Sequence, residues 1–212
     1  MRRALVPIVF AFVLVGCGES APEDAVSAAG TAVDADTDAT VAPELPPLSS
    51  VPVESYTANH IPPPASFATA PSTGGDHYAF WQNCGFYTVP VIEGAATHTL
   101  EHGAVWITYN PDAVTSTDLE VLSALAAGNN KLLISPYDHD DTVVLSAWGV
   151  QQRGGAAPST SAGATQINNF IAAWVDNPEL PEAGVTCLNA VGTPPDDVRS
   201  FADGEQVPDE YE

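Results

Sequence analysis

Positive charge is what this chain has least of. Its 212 residues carry five Lys and Arg against 27 Asp and Glu, a formal net charge of −22. Nucleic-acid phosphates need a surface of Lys and Arg, so this balance argues against a nucleic-acid partner. It also opposes anionic lipid heads, so membrane attachment has to come from something other than charge. Methionine is scarcer still. Met1 is the single one, which excludes a methionine-rich Cu(I) site. The chain has no phosphate loop, dinucleotide fingerprint, nucleophile elbow or C-x-x-C pair. No internal repeat is visible. The apolar run Ala4 to Val15 is twelve residues long, short of the ~18 that read as a membrane-spanning helix.

That run follows Arg2-Arg3 and leads into Leu14-Val15-Gly16-Cys17. A basic start and a short apolar stretch read as a cleaved export signal over residues 1–17. Its last four residues resemble the lipobox of bacterial lipoproteins. The resemblance implies lipidation of Cys17, and two or three acyl chains there suffice for stable attachment. The expected place is therefore the bacterial cell envelope, on its periplasmic or surface face, with the membrane as partner through the lipid anchor. The alternative is a plain secretory signal with an incidental cysteine.

Two acidic stretches flank the rest. Residues 18–55 are rich in Ala, Thr, Pro and acids, hold no base, and show neither helical nor strand period. They read as a disordered acidic tether. Residues 193–212 carry seven acids against Arg199 and read as an acidic C-terminal tail. Between them, 56–192 has the length of one domain with a real core. With Cys17 assigned to the anchor, Cys84 and Cys187 remain as an even pair. Export favours a disulfide between them. It would close a loop of about 100 residues, worth roughly 4–5 kcal/mol in the chain-entropy account. The alternatives are a reactive Cys84 or a thiolate ligand.

Within the domain, residues 60–76 are rich in Pro and Gly and read as an irregular loop. Phe86 to Ile92 reads as a short strand. Ala104 to Tyr109 is β-branched and aromatic, ends at Asn110-Pro111, and reads as a buried strand. Ser116 or Thr117 caps a helix that runs to Ala127 and stops at Gly128. Lys131 to Ser135 and Thr142 to Trp148 read as strands joined by the turn Asp138-His139-Asp140-Asp141. A last helix, 164–176, ends at Asn177-Pro178. The order β-α-β-β-α predicts a crossover and then a hairpin. The expected class is α+β: a small mixed sheet, two main helices packed on it, and one disulfide.

The chemistry concentrates in a short stretch. Gly74-Gly75-Asp76-His77 is followed by Trp81-Gln82-Asn83-Cys84-Gly85-Phe86-Tyr87, then His98-Thr99-Leu100-Glu101-His102-Gly103. Together with Pro90-Val91, Ala104 to Tyr109, Ser135-Pro136-Tyr137, Ala147-Trp148-Gly149, Pro181-Glu182-Ala183-Gly184 and Cys187, this wording resembles the bacterial family DUF3105, a domain of unknown function. The resemblance runs from about His60 to Gly192. It implies an exported protein and supplies no reaction. The turn after Ser135-Pro136-Tyr137 departs from the family wording, so His139 gains no support from it.

The residues themselves point to a metal. His98 and His102, four apart, share a face wherever the backbone is helical. His77 and Glu101 are near enough to join them, and His60 is a possible further ligand. Neutral imidazoles suit Zn²⁺ or Cu²⁺. Asp76 or Glu101 can instead be the carboxylate that fixes an imidazole tautomer. Two other readings stand beside this one. The first is a non-catalytic interaction or ligand-binding module whose histidines hold turns by bonding backbone carbonyls. The second is a hydrolase, because His98-x-x-Glu101-His102 has the spacing of inverzincins, with Glu101 as general base. That needs a long helix, and Gly103 leaves room for one turn only, so the reading favours a protein that is not an enzyme. An Asp138–Asp141 calcium loop lacks the spaced oxygens of an EF-hand.

Overall fold

The computed structural model describes residues 48–50 and 56–211. The expected export signal, Cys17 and most of the expected tether lie outside the described residues. In chain order the elements are β1 (Leu48–Ser50), β2 (Gly85–Phe86), α1 (Glu93–Glu101), β3 (Val105–Tyr109), α2 (Ser116–Gly128) and β4 (Leu132–Pro136). There follow β5 (Val143–Ala147), β6 (Val150–Gln152), α3 (Ser161–Trp174), β7 (Val191–Thr193) and β8 (Asp197–Phe201). The fold is α+β, as the sequence predicts: a mixed sheet in the order β1-β6-β5-β3-β4-β2, and a small β7-β8 sheet. None of the described helices is long and apolar enough to cross a membrane.

β3 organises the large sheet. Its residues Val105 to Thr108 are wholly buried, and their branched and aromatic side chains suit a strand covered on both faces. It runs parallel to β4 and antiparallel to β5. The expected hairpin between these two is therefore not formed, because β3 lies between them. The 138–141 connection passes the end of β3 instead. Asn110 Nδ2 donates to His139 O at 2.7 Å, and Tyr137 N donates to Tyr109 O at 2.9 Å. The true hairpin is β5-β6, turning on Trp148-Gly149, where Gly149 takes φ +76°.

Alternation along the strands divides the core. Val105, Ile107, Leu132, Ile134 and Leu145 face one side with Leu122 of α2 and Ile167 and Phe170 of α3. Trp106 and Leu133 face the other, with Ala96 and Leu100 of α1, Trp148 and both bridged cysteines. The predicted helices are thus on one face. α1 is a third helix, unpredicted, on the other. Two threonine caps set the helix starts: Thr115 and Asp118 form a reciprocal capping box on α2, and Thr160 accepts from Gly163 N on α3.

Cys84 and Cys187 form the disulfide, 103 residues apart in sequence. Two expected boundaries change. Leu48–Ser50, inside the expected tether, pairs as a strand with β6. Residues 193–212, expected as a solvated tail, are built onto the domain as far as Tyr211. β7 and β8 pair, Val207 is buried, and Tyr211 packs on Tyr78 and Phe80. Burial of Val207 and the packing of the partly buried Tyr211 offset the charge repulsion that made this stretch read as a tail.

Candidate metal centre

α1 carries three of the candidate residues at its end. His98 lies in its last turn, Glu101 is its final residue and His102 is its C-cap. The helix is nine residues long, longer than the single turn that Gly103 suggests. Gly103 turns the chain into β3 with φ +83°, a conformation that favours glycine. The second source is the loop before Trp81. There Ile61 N donates to His77 O at 2.8 Å and His77 N to Asn59 O at 3.0 Å. This bridge sets His60 beside His77.

Three of the imidazoles, those of His77, His98 and His102, are oriented in the same way. His77 Nδ1 lies 2.8 Å from Gly75 O, His98 Nδ1 2.8 Å from Tyr78 O, and His102 Nδ1 2.9 Å from Thr186 O. A carbonyl only accepts, so each Nδ1 carries the hydrogen. Each Nε2 is left with its lone pair in the neutral ring. That is the tautomer a metal ligand needs, fixed by a supporting hydrogen bond.

The donors then fall into two groups. His60, His77, His98 and Glu101 each place one ligand atom within 4.8 Å of all the others. His98, His102 and Glu182 do the same. His60 thus joins the first group, while His102 leaves it for a second with Glu182. In the first group His77, His98 and Glu101 are buried and His60 is exposed. His98 sits at the centre, its ring 4.7 Å from both His60 and His77 and 4.6 Å from His102.

The closest pair is the most telling. His77 Nε2 lies 3.1 Å from Glu101 Oε2, yet this fully buried nitrogen makes no hydrogen bond. A lone pair facing a carboxylate oxygen is repulsive unless a cation, proton or metal, lies between them. Tetrahedral bonds of ~2.0–2.1 Å set neighbouring ligand atoms roughly 3.3 Å apart. The His77–Glu101 separation has that dimension, as does the 3.3 Å from His102 Nε2 to Glu182 Oε2.

The electrostatics keep the donors in ligand form. Burial, first, and the neighbouring imidazoles push His98 down to about 4, against the Tyr78 hydrogen bond. Burial also lowers His102, against the pull of Thr186 and Glu182. For Glu101 burial pushes upward, but the close contact with His77 and the nearness of His98 and His60 outweigh it, so its carboxyl stays below its ordinary range. Aromatic walls close the site. The Trp81 ring lies 4.8 Å from that of His102, and Trp148 meets His77 edge-on at 5.8 Å.

Two sequence candidates take other roles. Asp76 does not touch an imidazole nitrogen. Its Oδ1 accepts from Asn59 N and Nδ2, bracing the strand-like stretch that carries His60. His139 lies away from both groups, between Thr108 and Asp141 O. Asp141 is engaged by Arg153 at 2.8 Å and by Gly154 N, so the 138–141 turn is tied to protein donors. Glu182 is the functional candidate that sequence reasoning missed. It stands in the quoted phrase Pro181-Glu182-Ala183-Gly184, but nothing in its spacing ties it to His102.

The fold and this cluster define a disulfide-stapled α+β domain with a buried His/Glu group able to hold a metal ion. The family model described as "Protein of unknown function (DUF3105)" matches residues 60–189. The chain belongs to that family, and the match spans both donor groups. No curated protein and no solved structure matches the chain.

Proposed function

We propose that this protein holds one divalent transition-metal ion, Zn²⁺ or Cu²⁺, on His60, His77, His98 and Glu101. The observation that carries the reading is the unbonded, buried His77 Nε2 set 3.1 Å from Glu101. A metal ion satisfies both groups at once. Three imidazoles and one carboxylate are a borderline donor set that suits either ion.

The setting we propose is the bacterial cell envelope. An acyl anchor at Cys17 would hold the domain there, and metal capture or handling is the role that fits. The disulfide supports an oxidising compartment. The hydrolase reading asks for Glu101 as a free base, whereas it lies against His77 inside the donor group.

The test is metal analysis of the full chain purified without a histidine tag, beside His77→Ala and His98→Ala. Near-stoichiometric zinc or copper in the parent, and loss in both variants with retained far-ultraviolet dichroism, supports the site. No ion in the parent after incubation with Zn²⁺ and Cu²⁺ overturns it. The carbonyl-bonded histidines are then structural and the domain is an interaction module.

A further inference from the structure

His98 belongs to both donor groups, yet it has one lone pair to give. Its Nδ1 is committed to Tyr78 O at 2.8 Å, so Nε2 serves one ion at a time. The second group is not a random surface cluster. His102 is buried, its Nδ1 is held by Thr186 O, and its Nε2 stands 3.3 Å from Glu182 Oε2. That pair repeats the lone-pair-to-carboxylate arrangement of His77 and Glu101. It differs in exposure: the Glu182 side chain is 48% accessible, that of Glu101 7%.

We infer that His98, His102 and Glu182 form a second metal position, mutually exclusive with the first and loading it by transfer across the shared His98. This rests on the metal reading of the first group. A divalent cation meets the accessible Glu182 carboxylate, then His102 and His98. Three donors hold it less firmly than four. Moving to His60, His77 and Glu101 exchanges ligands while the His98 bond is kept, so the ion is never released to water. No bond to protein is made or broken other than coordination, and no oxidant is needed.

The structure supports movement over so short a path. The rings of His77, His98 and His102 are spaced at 4.7 and 4.6 Å. Trp81 covers the second position, its ring 4.8 Å from His102 and 5.6 Å from His98. It therefore reports Cu²⁺ arrival by fluorescence quenching.

The test uses the full chain, Cu²⁺ alone as probe, and three variants. The parent should bind one ion. His60→Ala/Glu101→Gln should still bind one, roughly 10- to 100-fold more weakly, the scale on which supporting groups act. Adding His102→Ala to it should abolish that residual binding. His102→Ala alone should slow stopped-flow loading at least ~10-fold, beyond any change in final affinity. Two ions in the parent overturn the sharing of His98. No ion in His60→Ala/Glu101→Gln overturns the second position. Unchanged loading in His102→Ala overturns the transfer. If Glu101→Gln prevents folding, His60→Ala/His77→Asn, which also removes two donors of the first group, gives the same comparison. A parent that binds no Cu²⁺ marks failure of the metal reading itself, distinct from each of these.

Discussion

The buried Nε2 of His77 stands 3.1 Å from Oε2 of Glu101, with its own proton already committed through Nδ1 to Gly75 O. Two electron-rich atoms at this distance need a cation between them. Glu101→Gln removes the charge and keeps the shape, and its amide N–H can donate to Nε2. The fold should survive while affinity for Zn²⁺ or Cu²⁺ falls roughly 10- to 100-fold. In the parent, affinity should also fall as pH is lowered, because protons compete for the same lone pairs. Isothermal titration at two pH values reads both. Equal affinity for the parent and Glu101→Gln would remove Glu101 from the ligand set.

Lys131 is the support beneath the second group. Its buried Nζ donates to His102 O at 2.8 Å and to Val185 O at 2.6 Å, and pairs with Asp176 at 2.6 Å. It places a cation at the C-terminal end of α1, where the helix dipole favours one. Lys131→Met should cost about 2–3 kcal/mol, since two carbonyls and a carboxylate lose their donor. Denaturant unfolding checks this. A loss under ~0.5 kcal/mol, the size of a surface change, would show that the contacts are marginal.

The sequence made the α2–α3 face of the fold readable and the α1 face, which carries the donors, only partly so. α2 and α3 carry apolar residues at helical spacing, so the helices follow from pattern, although their caps, Thr115 and Thr160, lie ahead of the expected starts at Ser116 or Thr117 and at Ala164. α1 does not. Gly94 to Glu101 is buried along its whole length, so it has no polar face to alternate with an apolar one. Only the His98–His102 spacing hinted at it. β5 was legible as a strand, but its neighbour was not. Which strand lies beside it is decided by the segment passing the end of β3, a tertiary contact. The histidines announced themselves as unusual residues in dense wording. The atoms that orient them are backbone carbonyls of Gly75, Tyr78 and Thr186, and no residue type encodes a carbonyl. Glu182 was invisible as a partner of His102 because the two stand 80 positions apart, near opposite ends of the loop that the disulfide closes.

The disulfide links stability to the second group. Cys187 adjoins Thr186, whose carbonyl holds His102 Nδ1 at 2.9 Å. Cys84→Ser/Cys187→Ser frees a loop closed over 103 residues, for which chain entropy gives roughly 4–5 kcal/mol. Thermal melting should fall accordingly. Loading through His102 should be impaired beyond any change in final affinity, because Thr186 O is no longer fixed. Parent-like melting in the double variant would mean the surrounding core already holds the segment.

The metal-free protein should lose stability on mild acidification through His98. Burial is the main cause that lowers this group from 6.5 to about 4 on folding. Between those values the unfolded chain binds a proton that the folded chain does not. The contribution is therefore complete above about pH 6.5 and disappears as pH falls through about 4. His102, also lowered chiefly by burial, adds to the same slope. Glu93 works in the opposite sense: burial raises it, so its cost appears as pH rises above its ordinary value. Comparing the parent with His98→Asn isolates the first term. Urea unfolding at pH 7.5 and 4.5 should show a parent loss larger than that of the variant by on the order of 2 kcal/mol. A variant with the same pH slope as the parent would mean that His98 is not the proton acceptor. The slope would then belong to His102 or to another group, and the picture of His98 as a neutral, shared ligand would lose its electrostatic support.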